Sequence, residues 1–432
     1  MHNKQTEPSS ERRFVGWLRL YTPKLVIALS EGYRLADLRA DAIAGLTVAI
    51  VALPLSMAIA IASHAPPQAG LFTAIIGGFI ISALGGSRFQ VGGPAGAFIV
   101  LVSTIIDTHG MDGLLLATLM AGVLMVAGGL LRLGTLVRHV PHAVTIGFTA
   151  GIAVIIFASQ IHDLLGLRLA AAEPGELLPK LQFLWDSRST TNMAAVLLAA
   201  ATITAIIAVR IWRPGWPALL IAVVLASLAA WFFHLDVETI GTRFGSIPNT
   251  LPWPSIPAVT LEKLVMLLPS AISLAILGSI ESLLSAVVAD TMSGRAHRSN
   301  AELVAQGIAN IASPLFGGIT ATGTIARTAT NVKAGAHGPV AGMLHAVYIL
   351  VFMLVAAPLM KLIPLAALAG ILALVAWSMV EKKELAKLTA WPTLSVLLVT
   401  FLVTIFRDLI EGIAAGIILS LALNFLLRPN RP

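Results

Sequence analysis

Long apolar runs alternate with short polar stretches along almost the whole chain. A helix needs about 20 apolar residues to cross the hydrocarbon core of a bilayer, and fewer where the helix is broken. On this measure the chain predicts fourteen membrane-spanning segments, near residues 42–60, 66–84, 92–105, 114–131, 143–158, 193–209, 217–233, 266–289, 302–316, 322–333, 339–357, 362–380, 391–406 and 411–427. The expected fold is therefore all-α and polytopic, with the longer polar stretches 159–192 and 234–265 on one membrane face.

Composition and charge support this class of protein. Hydrophobic residues make up 57% of the 432 residues and charged residues only 11%, which is typical of a chain whose solvent is mostly lipid. The formal net charge of +7 comes from Lys and Arg scattered between apolar runs, so we expect no nucleic-acid partner. Because these residues concentrate in loops on the side of the N-terminus, both termini, including the polar segment 1–40, are predicted to be cytoplasmic at the cell membrane.

Two glycine-rich stretches open unusually short apolar runs. Gly85–Gly96 leads into residues 92–105, and Gly317–Gly323 leads into residues 322–333. They fall at the third and tenth predicted segments, which are seven apart. Because seven is an odd number, the two halves of the chain would cross the membrane in opposite directions. Short segments interrupted by Gly or Pro at matching positions are the best sequence indication of a transporter binding site.

Neither short run is long enough to cross the membrane as a helix, at 1.5 Å per residue. We therefore predict that each contains an extended stretch followed by a half-helix, and that the two helix N-termini meet near the midplane. Free backbone N–H groups and the positive end of the helix dipole make such N-termini anion sites. Pro94 is expected in the first helical turn, a position that proline favours.

Arg327 lies one turn into the second short segment. A charged residue inside a membrane segment is costly, so it indicates function by default. A planar guanidinium suits carboxylate, bicarbonate or sulfate. The alternative is a structural arginine that pairs with Glu281 or donates hydrogen bonds to backbone carbonyls.

Glu281 lies in the middle of the apolar segment 266–289, and Ser285 follows four residues later on the same helical face. Together they offer oxygens for a proton or a sodium ion. The alternative is an acid that is neutral or paired for structural reasons. Asp41, at the start of the first segment, is interpreted as a helix N-terminal acid.

No pattern in the sequence indicates catalysis. The chain has no cysteine, which excludes disulfides, thiolate metal ligands and cysteine nucleophiles. It also has no P-loop, nucleophile elbow or metalloprotease helix, and its histidines fall mostly at segment ends without metal-ligand spacing. We therefore predict a protein that is not an enzyme and that uses no cofactor and no metal apart from a coupling sodium ion.

Five stretches carry a resemblance that extends from Asp41 to the last apolar segment. The chain resembles the SulP family of anion transporters, the sulfate permease group. The stretches are Ala52–Ala58, Val91–Gly96, Glu281–Asp290, Ser299–Leu303 and Gly323–Asn331.

The resemblance implies a specific architecture within residues 41–427. Seven plus seven inverted helices would form a core domain (helices 1–4 and 8–11, about 41–135 and 266–357) and a gate domain (helices 5–7 and 12–14, about 140–235 and 360–427). The core would move against the gate like an elevator. The tail 428–432 ends the chain, so we expect no STAS domain, although most family members carry one.

The resemblance also assigns roles to residues by motif position. The implied anion site comprises Pro94, Ala95, Gly96, Ala326, Arg327, Ala52 and Leu55, and the implied ion-coupling residues are Glu281 and Ser285. Some animal members have polar side chains where this chain has Ala52 and Leu55, so the site here would rely more on backbone dipoles and on Arg327.

The resulting expectation is a secondary active transporter of sulfate, bicarbonate or a dicarboxylate. Its partners would be the anion, H⁺ or Na⁺ as coupling ion, the lipid bilayer and, for assembly, a second copy in a homodimer. Two alternatives remain open at this point: an uncoupled anion channel on the same scaffold, and a nucleobase permease of related architecture.

Overall fold

The computed structural model describes residues 20–135, 141–171, 173–174, 176–380, 382–387, 390–407 and 409–426. Nearly half of the predicted N-terminal segment 1–40, namely residues 1–19, lies outside these ranges. So do residue 427, the last of the fourteenth predicted segment, and the predicted tail 428–432.

Helices account for most of the described chain. In chain order they are α1 (Lys24–Ser30), α2 (Leu35–Ala62), α3 (Pro67–Leu84, with a π-helical turn at Thr73–Gly77), α4 (Ile99–Leu130, preceded by a 3-10 turn at Gly96–Phe98), α5 (His142–Leu165), α6 (Leu177–Asp186), α7 (Met193–Trp212), α8 (Ala218–Phe232), α9 (Ile240–Phe244), α10 (Leu261–Ser293), α11 (Ser299–Leu315), α12 (Ile325–Lys333), α13 (Val340–Met360), α14 (Leu365–Met379), α15 (Lys382–Lys387), α16 (Trp391–Phe406) and α17 (Leu409–Leu426). Two very short strands, β1 (Gly92–Gly93) and β2 (Thr322–Gly323), complete the elements.

Each predicted segment overlaps one of these helices, but the helices differ in length. Among the described residues, eight helical stretches are long and apolar enough to cross a membrane, and α8, α14 and α16 are shorter apolar helices. α4 overlaps both predicted segments, 92–105 and 114–131, and non-helical backbone at Gly110, where φ is 69°, divides it into two helical parts. The structure therefore establishes a largely helical membrane fold, and the count of fourteen spans stays a prediction.

The two long polar stretches are more ordered than their composition indicates. α5 continues to Leu165, α6 and α9 lie inside the stretches, and α10 begins already at Leu261. The stretches also contact each other, because Arg243 Nη2 donates to Asp163 Oδ1 at 2.8 Å and Asn192 Nδ2 donates to the Asp236 carbonyl. Both stretches consequently lie at the same end of the helical bundle.

Asp41 has a different role from the predicted one. α2 begins at Leu35, so Asp41 lies in its second turn rather than at its N-terminus. Its fully buried carboxylate accepts the backbone N–H groups of His337 and Gly338, at 2.6 and 2.9 Å, and the hydroxyl of Tyr33 at 2.7 Å. Asp41 therefore fastens α2 to the loop before α13 instead of capping its own helix.

The two short strands pair with each other in the middle of the bundle. β1 and β2 are antiparallel, with Gly92 opposite Gly323 and Gly93 opposite Thr322. A side chain on Gly323 would overlap Gln90, so glycine is required where the two extended chains approach. This pair joins the two glycine-rich stretches that the sequence singles out.

Buried amide side chains satisfy the backbone around the strand pair. Asn310 donates to the Ala321 carbonyl at 2.7 Å and accepts the Ala321 N–H at 2.9 Å. Gln90 donates to the Ser282 carbonyl at 3.1 Å, and Asn331 donates to the Phe89 carbonyl. Non-helical backbone is tolerated at membrane depth only when protein or a cavity covers it, and these amides supply the partners that water would otherwise provide.

Candidate functional site

The strand pair places the starts of two helices close together. β1 leads through Pro94 and Ala95 into the turn at Gly96–Phe98 and then α4, and β2 leads through Thr324 into α12. The Thr324 N–H donates to the Val91 carbonyl at 3.1 Å, which continues the pairing to the start of α12. Both helix N-termini therefore adjoin the same short strand pair.

The expectation that Pro94 occupies a first helical turn is wrong. Ala95 is extended, with φ −121° and ψ 144°, and helical structure begins only at Gly96. Pro94 thus belongs to the extended approach to the helix. The physical reason is that the Pro94 carbonyl accepts a hydrogen bond from Arg327 at 3.3 Å instead of entering the helical ladder.

Arg327 is the largest side chain that is almost completely buried, with 2% of its surface exposed. Its Nη1 donates to the Gly92 carbonyl at 3.3 Å, and its Nη2 donates to Ser56 Oγ at 3.0 Å and to the Pro94 carbonyl. A side chain on Gly93 would overlap Nη1. The guanidinium therefore joins α12 to the extended strand β1 and to the middle of α2.

Arg327 does not pair with Glu281, which was one of the two forms of the structural alternative. Backbone carbonyls and Ser56 take the Nη donors, and Nε has no partner among the described residues. No carboxylate pairs with Arg327 in the part of the chain that the structure describes. The structure thus bears out the alternative of bonding to carbonyls, and it leaves a full positive charge without a counter-ion beside two helix N-termini.

The other predicted anion-site residues differ in accessibility. Ala52 and Leu55 are buried on α2, and the Ala52 carbonyl accepts the Ser56 hydroxyl that in turn accepts from Arg327. Pro94 and Ala95 are buried as well. In contrast, Gly96 is half-buried and Ala326 is exposed, so accessible surface at this place comes mainly from the first turns of the two helices.

Glu281 occupies the middle of α10 with 7% of its surface exposed. Its carboxylate makes no hydrogen bond or ion pair with any described residue. One turn later, Ser285 Oγ donates to Thr328 Oγ1 at 3.1 Å. A buried acid without a partner is therefore adjacent to a pair of bonded hydroxyl groups, one of them on α12.

The face of α10 that carries Glu281 packs against the broken segments. The Gly278 carbonyl, three residues earlier, accepts the Thr322 hydroxyl at 3.3 Å, and the Ser282 carbonyl accepts from Gln90. Sequence analysis did not identify Ser56 or Gln90, because single polar residues in apolar runs are common. The only available signal was their position within the Ala52–Ala58 motif and directly before Val91–Gly96.

A cavity of about 670 Å³ lies between α2, the loop from α7 to α8, and α12. Its lining includes Arg210, Trp216, Thr330 and Lys333. Ala326, Thr330 and Lys333 recur at helical spacing along α12. This cavity, which we call the α12 cavity, therefore borders the helical face on which exposed Ala326 lies.

A second cavity, of about 370 Å³, lies between the start of α4, α5 and the turn from α16 to α17. The first residues of α6 cover it, and Lys180 is among the residues that line it. Lys180 Nζ lies 3.4 Å from Glu173 Oε2, and His162 Nδ1 lies 3.1 Å from Glu173 Oε1. Glu173 therefore anchors the loop before α6 to the end of α5.

Lowering the pH is expected to weaken the attachment of α6 and the loop before it to the end of α5. Burial acts to raise the pKa of Glu173, but the hydrogen bond from His162 and the charge of Lys180 outweigh it, so the pKa lies below its usual value of 4.5. A depressed pKa stabilises the fold above the unfolded-state pKa, and this stabilisation disappears as the pH falls through the folded-state value. Hydrogen-exchange protection of the α6 amides, corrected for intrinsic rates, should decrease below about pH 4.5.

The variant Glu173→Gln provides the comparison for that measurement. It removes the charge without changing the size of the side chain, so protection of α6 should be low at neutral pH and should not change across the acidic range. Equal protection in the two proteins at neutral pH would show that Glu173 does not hold the loop.

Comparison with known proteins assigns the chain to a family. Residues 38–404 match the model of the sulfate permease family. The chain belongs to this family. A putative sulfate transporter of Bacillus subtilis is 46% identical over 90% of this chain and 74% of its own length. A bicarbonate transporter, BicA, of Synechocystis is 32% identical over 89% of this chain and 69% of its own length.

Solved structures share the fold. The transmembrane domain of a cyanobacterial bicarbonate transporter, BicA, has a TM-score of 0.78 at 32% identity, covering 88% of this chain and 98% of that one. Murine solute carrier 26 family member A9, an anion transporter in the inward-facing state, has a TM-score of 0.85 at 18% identity, covering 100% of this chain and 75% of that one; this likeness concerns the fold alone.

Family membership confirms the resemblance to SulP anion transporters. The family and the relatives are membrane transporters, which also confirms the prediction that the chain is not an enzyme.

Proposed function

We propose that this protein is a secondary active transporter of small oxyanions, with sulfate as its first candidate substrate. The observation that carries the proposal is Arg327, a buried positive charge without a carboxylate partner beside the N-termini of α4 and α12. Fixed donors and dipoles of one sign favour an ion of the opposite sign. The site would comprise Arg327 and Ala326 of α12, Pro94, Ala95 and Gly96 before α4, and Ala52 and Leu55 of α2.

Sulfate comes first because the highest sequence identity reported above, 46%, is to a putative sulfate transporter. Bicarbonate is the second candidate, because BicA proteins resemble this chain at 32% identity both in sequence and in solved structure. Both anions are small and present several oxygen atoms to a guanidinium, in a plane for bicarbonate and at the corners of a tetrahedron for sulfate.

Two related halves, with seven helices each, form part of this proposal. Helix packing in the structure supports it, because contacts in one half recur between the corresponding elements of the other. α2 packs on α13 as α10 packs on α4, and α3 packs on α13 as α11 packs on α4. Likewise, α7 packs on α8 as α16 packs on α17, and α5 packs on α16 as α14 packs on α7.

A core domain (about 41–135 and 266–357) that moves like an elevator against a gate domain (about 140–235 and 360–427) would give access to the site from either side. The strand pair and its amide partners lie within the proposed core. The α12 cavity and the cavity below α6 lie where proposed core and gate elements meet. The distribution of Lys and Arg supports an opening of the α12 cavity toward the cytoplasm, with both termini on that side. A homodimer remains a prediction.

Glu281 and Ser285 are the proposed binding site for the coupling cation, H⁺ or Na⁺. Their support is the partnerless carboxylate of Glu281 and the bond between Ser285 and Thr328, which connects α10 to the helix that carries Arg327. A cation at this place would neutralise a buried negative charge. Binding of the cation would therefore involve α12, the helix that also carries Ala326 and Arg327 of the proposed anion site.

Uptake of radiolabelled sulfate into proteoliposomes tests the proposed function. We expect uptake that saturates with sulfate concentration and that bicarbonate reduces by competition. Single-channel currents, or fluxes that never saturate, would favour an anion channel instead. Uptake of a nucleobase without any sulfate uptake would support the permease alternative.

Replacing Glu281 by glutamine is expected to uncouple sulfate uptake from the cation gradient. The amide is nearly isosteric and stays neutral, so it can neither exchange a proton nor neutralise a sodium ion. Uptake driven by an imposed H⁺ or Na⁺ gradient should fall to the level measured without the gradient, while sulfate exchange continues. Glu262→Gln, at the exposed start of α10, is the matched control, and an unchanged gradient dependence in Glu281→Gln would exclude the assignment.

A further inference from the structure

His345 lies in the second turn of α13 and is fully buried. Neither ring nitrogen, Nδ1 or Nε2, has a hydrogen-bond partner among the described residues. A buried imidazole normally donates with one nitrogen and accepts with the other, and each unmatched buried polar group is destabilising. From the sequence, the histidines fall mostly at segment ends, and the function proposed above does not use His345.

The His345 ring lies near β1, the strand whose Gly92 carbonyl accepts a hydrogen bond from Arg327. A Cβ on Gly78 would lie 3.9 Å from His345 Cε1 and 2.9 Å from the Gly92 carbonyl oxygen. That carbonyl accepts the hydrogen bond from Arg327 Nη1 at 3.3 Å. The His345 ring and Arg327 therefore both lie near the Gly92 carbonyl group, and Arg327 Nε is another buried polar atom without a partner among the described residues.

Small residues create the space for this arrangement. Gly45 on α2 faces the backbone of α13, where a Cβ would lie 3.1 Å from the backbone nitrogen of His345. Gly78 follows directly on the π-helical turn of α3, and such turns occur frequently at functional sites. α2 thus approaches the α13 backbone at His345, and α3 approaches the His345 ring.

Arg327, which donates to the Gly92 carbonyl, is the charged group near the ring. α3 contains no titratable residue. On α2, Asp41 is bonded to the backbone of residues 337 and 338, about two helical turns from His345 along α13, and Asp37 lies near His337. Arg88, the charged residue of the stretch before β1, pairs with Glu31. An imidazolium at His345 would therefore stand beside Arg327 without a counter-ion.

We infer that His345 is a proton-binding site that is loaded together with the substrate anion. This inference rests on the proposed function. An anion beside Arg327 would supply the negative charge that a protonated ring needs, and a protonated ring would in turn strengthen anion binding. Such coupling is reciprocal, since two ligands that favour the same state must raise each other's affinity equally.

Proton uptake on sulfate binding tests the inference. Isothermal titration calorimetry of the detergent-solubilised protein with sodium sulfate, at pH 7 in buffers of different ionisation enthalpy, counts the protons taken up. We expect net uptake in the wild type and none in His345→Gln, which keeps a polar side chain but cannot be protonated. With one linked proton, the wild-type Kd should rise by up to about tenfold per pH unit across the range in which uptake occurs, and the Kd of His345→Gln should be independent of pH.

Each alternative outcome has a distinct meaning. His337→Gln is the matched control, because this histidine precedes α13 and is partly exposed, and it should take up as many protons as the wild type. Unchanged uptake in His345→Gln would overturn the inference, and uptake that is lost only in Glu281→Gln would assign the proton to Glu281. Wild-type protein that binds sulfate without proton uptake would overturn this inference alone, whereas wild-type protein that does not bind sulfate would overturn the proposed sulfate function as well.

A measurement on the wild type covers the case in which His345→Gln does not fold. Infrared difference spectra of protein with isotope-labelled histidine, recorded before and after addition of sulfate at pH 7, report the formation of imidazolium. A new imidazolium band supports the inference, and its absence overturns it.

Discussion

Replacing Arg327 by alanine is expected to abolish sulfate uptake in proteoliposomes while the protein still inserts and remains folded. The substitution removes a buried positive charge that donates to Gly92, Pro94 and Ser56. Loss of one partner from a buried, hydrogen-bonded charge interaction costs about 3 kcal/mol, or about a hundredfold in affinity. Sulfate affinity should therefore fall by at least this factor.

Two further substitutions separate charge from geometry. Arg327→Lys keeps the charge but lacks the fork that reaches two carbonyls and a hydroxyl at once, so it should bind sulfate weakly and transport it slowly. Arg188→Ala, an exposed arginine in the turn after α6, serves as the control and should leave uptake unchanged. Full uptake by Arg327→Ala would remove the main support for an anion site at this place.

Gly93→Ala is expected to have an effect of similar size on transport. The added methyl group would occupy the position of Arg327 Nη1, so the guanidinium would have to leave its hydrogen bonds to Gly92 and Pro94. Uptake should fall to the level of Arg327→Ala, and the thermal midpoint should decrease because a buried charge loses its partners. Gly128→Ala is the control, since its Cβ would lie at ordinary contact distances, 3.6 Å from Leu303 Cδ2 and 3.8 Å from Leu133 Cδ1.

Combining Gly93→Ala with Arg327→Ala shows why Gly93→Ala lowers the stability. If Gly93→Ala destabilises the protein because its methyl group overlaps Arg327, it should lower the thermal midpoint of Arg327→Ala protein very little. In that protein no guanidinium occupies the space. Equal decreases in thermal midpoint in both backgrounds would instead point to the backbone of β1 itself.

Much of the fold could be predicted from apolar periodicity. The bounds of α16 agree with the predicted segment 391–406, and α14 and α7 differ by only a few residues, because apolar runs between polar loops define membrane helices directly. α4 consists of two helical parts that meet at Gly110, where the backbone is non-helical (φ 69°, ψ −179°), so these parts correspond to the predicted segments 92–105 and 114–131, although the first begins only near Ile99. The polar stretch 159–192 hid α6, whose short amphipathic sequence resembles a loop in composition.

The candidate site was only partly predictable, for a physical reason. Arg327 stood out because a charge in an apolar run is expensive wherever it points. Its partners did not stand out, because Gly92 and Pro94 contribute carbonyl oxygens that every residue possesses. Glu281 looked like the natural counter-ion, but α10 presents its face to Thr322, Gln90 and Thr328 instead.

The sequence by itself determined that this chain is a helical membrane protein with two broken segments and a costly arginine in one of them. These features are local, since they follow from the polarity of successive residues and from the lengths of apolar runs. Only the tertiary structure decided that the broken segments pair as strands, that Arg327 binds carbonyl groups rather than Glu281, and that His345 lies behind the same strand. Those contacts join residues far apart in the chain, and their geometry depends on how the helices pack.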